Sequence, residues 1–252
     1  MEQKSILIIG AGIAGLSAGC YGQMSGYRTQ IFEMHDLPGG VCTSWQRQGY
    51  TIDGCLAWLV GSSPGASYYR MWQDLGAVQG RTFVNHEDFL RVQGPEGKAL
   101  VVYCDLDRLE QHLKELAPQD AALIEALVAA ARTCARYDPP VDKAPELMGA
   151  LDGIKFLLKS MPFLRVVSRW KAISLEELAG RFQDPFLREA LALITDLPEH
   201  PALAFLMTLG WLDRKTAGYP QGGSLAFSRA IEQRYLDLGG QIHYRARVAE
   251  IL

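Results

Sequence analysis

Hydrophobic periodicity divides the chain into a short ordered opening, a long middle of helical character, and a closing helix–strand unit. The run Ile6 to Ile9 is apolar on every residue, the pattern of a buried parallel strand. It meets Gly10-x-Gly12-x-x-Gly15, and a second apolar strand pattern ends on Glu33, 18 residues after Gly15. Strand, glycine turn, helix, strand and terminal acid together predict a dinucleotide-binding unit. In that unit Gly10 allows the tight turn, Gly12 lets backbone approach a pyrophosphate, and Gly15 lets helix pack close to strand. The helix N-terminus offers free N–H groups to phosphate, and Glu33 can accept from a ribose 2′-OH. The uncharged stretch Ile6 to Gly22 is neither leader nor membrane helix by this reading. It holds five glycines in 17 residues, is shorter than the ~20 residues a bilayer needs, and leads into a strand.

The middle reads differently. Thr82 to Val92 and Ala99 to Tyr103 flank Gly94-Pro95-Glu96-Gly97 as a hairpin. Helices follow: Leu106 to Leu116 capped by Asp105, Pro118 to about Tyr137, Leu175 to Phe182 under a Ser174/Glu177 capping box, Pro185 to about Thr195, and Ala202 to Trp211. A shorter helix is expected near Tyr68 to Leu75. Phe156, Phe163, Trp170, Phe182, Phe186, Phe205, Met207 and Trp211 supply either an apolar pocket or simply the core. Leu151 to Lys171 carries five basic residues against one acid, a sum of +4, with apolar residues between them. It suits either a membrane-interface helix, and hence peripheral membrane contact through 151–171, or a core-packing helix with a solvated basic face broken at Pro162.

From Tyr219 the pattern returns to helix and strand. Leu225, Ile231, Tyr235, Leu236 and Leu238 give a helix an apolar face, Gly239-Gly240 ends it, and Gln241 to Tyr244 begins a strand.

Net charge is −3, so no global charge favours nucleic acid. The five cysteines are odd in number, scattered and free of CxxC, which suits free thiols in a reducing, cytoplasmic compartment. The five histidines lie in no metal spacing and no hydrolytic arrangement, so no metal and no catalytic residue is assigned. Ser63, in GSSPG, is a loop residue.

After Glu33 come Gly39-Gly40, Trp45, Gly49-Tyr50 and Asp53-Gly54; near the other end stand Pro220-x-Gly222-Gly223-Ser224, Gly239-Gly240 and Val248. These blocks resemble the phytoene desaturase and amine oxidase superfamily of flavoproteins, in their N-terminal half. Where many relatives follow the glycine pair with Arg, this chain has Val41. The resemblance implies an α/β fold: a Rossmann-like FAD-binding domain of the GR2 type, discontinuous over 1–80 and 219–252, with an inserted, mostly helical α+β substrate domain over 81–218, C-terminally incomplete. It implies FAD as cofactor, held by Gly10, Gly12, Ala14, Gly15, Glu33, Gly39, Gly40 and the backbone of Val248. Asp53-Gly54 would lie beside the flavin. The implied activity is FAD-dependent hydride transfer between flavin and a lipophilic polyene or isoprenoid. The alternatives are a non-catalytic nucleotide-binding fragment or degenerate paralogue, and an amine oxidase-like flavoenzyme. Absent sheet strands would leave an open apolar edge through which the chain could self-associate.

Overall fold

The structure, a computed structural model, describes residues 4–141, 143, 145–194 and 199–251. The chain divides into two compact units, Met1–Val84 with Gly218–Leu252, and Asn85–Ala217.

In the first unit β1 (Ser5–Ile9) leads through the glycine turn into α1 (Ile13–Met24) and β2 (Arg28–Phe32). A hairpin of β3 (Ser44–Arg47) and β4 (Tyr50–Asp53) follows, then β5 (Leu59–Val60), α2 (Ser67–Asp74) and β6 (Phe83–Val84). The second unit holds β7 (Asp88–Gln93), β8 (Ala99–Tyr103), α3 (Leu106–Leu116), α4 (Ala121–Arg136), α5 (Ala150–Trp170), α6 (Leu175–Gly180), α7 (Pro185–Ala192) and α8 (Ala202–Asp213). The chain then adds β9 (Ala217–Pro220), α9 (Gly223–Asp237) and β10 (Gln241–His243).

The first unit has a parallel sheet ordered β1-β2-β10, with Ile8 opposite Ile31 and Ile31 opposite Ile242. Its core is Leu16 and Cys20 of α1, Ile31 of β2, and Phe227, Ile231 and Tyr235 of α9. Leu236, expected on the buried face of α9, is exposed; Phe227 takes that role instead. Strand β1 is parallel but not buried as its apolar run suggests: Leu7 is 67% and Ile9 57% exposed. Among the described residues it pairs only with β2, so its outer edge and much of its surface face solvent.

The second unit is a helical cluster beside one antiparallel pair, β7 with β8. Residues 83–84, expected to continue this hairpin, pair instead with β9 in the first unit. Leu106, Leu109 and Leu113 of α3 meet Ile124, Leu127 and Val128 of α4 at the 3–4 spacing that buries one helix stripe. Local chemistry places the helix starts: Asp105 accepts from Arg108 N at 2.8 Å, and Ser174 and Glu177 exchange both bonds of the capping box. The buried carboxylate of Asp120 accepts from the amides of Gln183 and Asp184, fixing the turn into α7. The expected end of that helix near Thr195 lies outside the described residues.

Pro162 does not break α5, which runs unbroken from Ala150 to Trp170. An interior proline removes one helix hydrogen bond and costs about 3 kcal/mol. The cost is offset where Val166 and Trp170 bury against the helical core and Phe163 stacks on Tyr137 at 3.9 Å. Trp170, Phe182 and Phe205 are core, and Phe163, Phe186 and Met207 pack against it; Phe156 is exposed. Most of the aromatic set of the middle region therefore builds or packs on the core, while Phe156 and Phe163 also line surface clefts along α5.

Candidate dinucleotide site

The glycine turn joins β1 to α1, and its geometry follows from two close approaches. A Cβ on Gly15 would lie 2.0 Å from the carbonyl oxygen of Gly10, so the first turn of α1 can sit this near β1 only with hydrogen at that position. Gly39 has φ +106°, and a Cβ there would fall 2.2 Å from the carbonyl oxygen of Cys42. Gly39 N donates to Ala11 O at 2.8 Å, and Gly39 forms a parallel bridge with Gly12. Two segments separated by β2 thus stand together, Gly12 against Gly39 and Gly40, while Gly15 packs back on Gly10 and Ala14 lies in the first turn of α1.

Gly12 differs from its neighbours. Its φ of −66° and ψ of 172° suit any residue. A Cβ would find only Gly39 O, 3.9 Å away. No packing demand of the fold requires glycine there, and the space a side chain would fill lies at the N-terminus of α1. That helix has no side-chain cap, and the N–H groups of its first turn lack intrahelical acceptors. Such a cradle fits an anionic pyrophosphate.

Glu33 follows β2 and is 6% exposed. Its Oε2 accepts from Ala11 N at 2.7 Å and its Oε1 from His35 N at 2.8 Å. The carboxylate is thereby fixed against the glycine turn before any ligand arrives. Each oxygen keeps a second acceptor direction, as a ribose diol requires. The closing segment adjoins it: Ala246 N donates to Glu33 O at 2.9 Å, and Glu33 N to His243 O at 2.9 Å. Val248 stands two residues beyond that contact and is 37% exposed. The segment from Gly10 to Gly40 and the stretch through Val248 therefore meet at one end of the parallel sheet. Val41 is 89% exposed and contributes no cation.

One tie at this site is not readable from local pattern. Helix α9 begins at Gly223 with no side-chain cap of its own. The Asp53 carboxylate of β4 supplies it from 171 positions away: Oδ2 accepts from Ser224 N and Oδ1 from Ser224 Oγ, each at 2.5 Å, and Oδ1 also accepts from Cys55 N at 3.2 Å. Ser224, fully buried, returns an acceptor to Leu56 N at 2.9 Å. Partial burial works against the Asp53 charge, but the Ser224 hydroxyl and amide and the loop amides outweigh it and hold its pKa below the ordinary value. Ser228, one turn along α9, donates to Cys42 O at 2.5 Å. Asp53, Ser224 and Ser228 thus lock the Gly39-Gly40 loop and the β3–β4 hairpin onto α9. The Gly-Gly-Ser turn and the Asp-Gly pair were each visible in the sequence; their mutual contact was not.

All five cysteines are free thiols, and burial pushes Cys20, Cys104 and Cys134 up to about 11. Among the described residues no group of three or more His, Cys, Asp or Glu could hold a metal ion. In the second unit, one cleft of about 570 Å³ is lined by Arg132, Arg136, Arg214, Asp107 and Asp213. Its walls combine these charged groups with the apolar side chains of Leu106 and Ala135.

Residues 8–75 match the model of the NAD(P)-binding Rossmann-like domain. A lycopene-forming phytoene desaturase from Pseudescherichia vulneris is 26% identical across 99% of this chain and 50% of its own length. Human all-trans-retinol 13,14-reductase is 26% identical across the whole chain and 42% of its own length. Among solved structures, a putrescine oxidase variant superposes with a TM-score of 0.55 at 16% identity, over 98% of this chain and 51% of that one, a likeness of fold alone. The chain spans about half the length of the curated relatives it matches.

Proposed function

We propose that this chain, which corresponds to the N-terminal half of a phytoene desaturase-like protein, holds FAD and serves hydride transfer between the flavin and a lipophilic polyene or isoprenoid. The observation that carries the reading is the rim formed by Gly12, Gly39 and the fixed Glu33 carboxylate, where backbone leaves room for a pyrophosphate that folding does not need. Bound flavin would supply the redox chemistry. The residues of this chain bind and orient: the first turn of α1 toward the phosphates, Glu33 toward the ribose, Val248 through its backbone toward the adenine. Residues 1–80 with 219–252 act as the cofactor domain and 81–218 as the substrate domain. The polyene class is supported by the relatives named for phytoene and retinol.

The test is to add FAD to the purified chain, remove the excess and record the visible spectrum. A retained flavin band is expected. A colourless, folded protein overturns the reading and leaves a non-catalytic fragment. Replacing Glu33 by Ala is expected to weaken FAD binding by about 1–3 kcal/mol, the worth of hydrogen bonds to a charged group. Titration of both proteins by flavin fluorescence checks it, and an unchanged affinity would place the ribose elsewhere.

Self-association belongs to the same reading. The open edge of β1, with Leu7 and Ile9 exposed, would pair with β1 of a second copy. Concentration-dependent dimerisation that Leu7→Lys abolishes is the expected result in sedimentation; a monomer at all concentrations removes it.

A further inference from the structure

Two of the five cysteines face each other across the end of the β3–β4 hairpin. The ladder pairs Ser44 with Asp53, and the same register carried two residues further sets Cys42 opposite Cys55. Facing residues of an antiparallel pair stand about 4.5–5.5 Å apart at Cα, within the span a disulfide bridges. The side chains meet as the register requires. The two thiols are hydrogen-bonded to each other, and burial first, then the Cys55 thiol, holds Cys42 above its ordinary pKa. One residue of α9 anchors both segments: Cys42 Sγ donates to Ser224 O at 3.8 Å, and Leu56 N donates to Ser224 Oγ at 2.9 Å. The pair is asymmetric, with Cys42 buried and Cys55 exposed. Cys20, Cys104 and Cys134 are all buried.

We propose that Cys42 and Cys55 form a redox-active dithiol that a low-molecular-weight disulfide oxidises to an intramolecular disulfide. Cys55 reacts first, because it is the member of the pair that solvent reaches. Its thiolate attacks one sulfur of the small disulfide, expels one small thiolate and leaves a mixed disulfide on Cys55. Cys42 then loses its proton and attacks the Cys55 sulfur, and the second small thiolate leaves. The protein gives up two electrons and two protons; the small disulfide takes them and becomes two free thiols. Burial shields Cys42 from the solution, so it resolves the neighbour that it already touches and nothing else. A reversible bond of this kind is compatible with a reducing compartment. The bond closes beside the glycine turn: Cys42 N donates to Gly39 O at 3.0 Å, and Gly39 stands against Gly12. Oxidation therefore ties the Gly39-Gly40 loop covalently to the segment that follows Asp53.

The experiment is to treat the reduced, folded chain with excess oxidised glutathione, unfold it in iodoacetamide and map the cysteines by mass spectrometry. Loss of two of the five thiols is expected, with Cys42 and Cys55 joined and dithiothreitol restoring both. Cys42→Ser should stop at the first step and carry one glutathione on Cys55. Cys55→Ser should keep its remaining thiols free, since all of them are buried. Circular dichroism checks folding, and Cys42→Ala replaces Cys42→Ser if the buried hydroxyl is not tolerated. A glutathione that stays on Cys55 of the unaltered chain while Cys42 remains free overturns the proposal. So does a chain that keeps all its thiols, or oxidation that Cys55→Ser leaves unchanged. No flavin is present in this readout, so the dithiol and cofactor binding stand or fall separately.

Discussion

Gly12→Val is expected to abolish flavin retention while leaving the chain folded. The backbone at Gly12 is ordinary for an L-residue, and the nearest atom to a new Cβ is Gly39 O at 3.9 Å. The change should cost about 1 kcal/mol or less of stability, since Gly is only a modest N-cap. The isopropyl group would fill the approach to the α1 amides, and affinity for FAD should fall at least roughly 100-fold, about 2.8 kcal/mol. Gly15→Ala is the contrasting control. Its methyl would meet Gly10 O at 2.0 Å, so that variant should lose the fold along with the cofactor. Absorbance after desalting reads binding, and thermal melting without FAD reads folding. Full flavin retention in Gly12→Val would show that the glycine turn does not touch the cofactor.

Asp53→Ala should produce the second large effect, on stability. It removes the acceptors for Ser224 N, Ser224 Oγ and Cys55 N, and leaves the fully buried Ser224 hydroxyl without its carboxylate. A loss of about 3 kcal/mol is expected. The pH dependence has a definite sign. The folded-state pKa of Asp53 lies below that of the unfolded chain, about 3.9. Its contribution is therefore complete above about pH 4 and disappears as pH falls through the folded value. Urea unfolding of both proteins should show the full gap at neutral pH and a shrinking gap in acid. A gap that persists unchanged in acid would mean that the Asp53 charge does not hold α9.

The same two positions show how far the chain could be read in advance. The glycine turn and Glu33 were legible because strand, turn and helix are contiguous: Gly10 and Gly15 answer local geometric demands, and Gly12 completes the spacing without one. The starts of α3 and α6 were legible for the same reason, as their caps lie within three residues of the amides they satisfy. The function of Asp53 was not, because its partner sits 171 residues away and neither residue carries a pattern that names the other.

By itself, then, the sequence determined the dinucleotide unit, the helical character of the middle region and the return to helix and strand near Tyr219. These rest on periodicity and capping, which act over a few residues. Only the tertiary structure decided that 83–84 leave the hairpin to pair with β9, that Gly39 stands against Gly12, and that α5 continues through Pro162. It also decided that the apolar strand β1 lies at an edge, with Leu7 and Ile9 exposed. Propensity states what a segment can become; which neighbours cover it depends on contacts distant in sequence, and those contacts alone set burial, register and the offset of a local cost such as an interior proline.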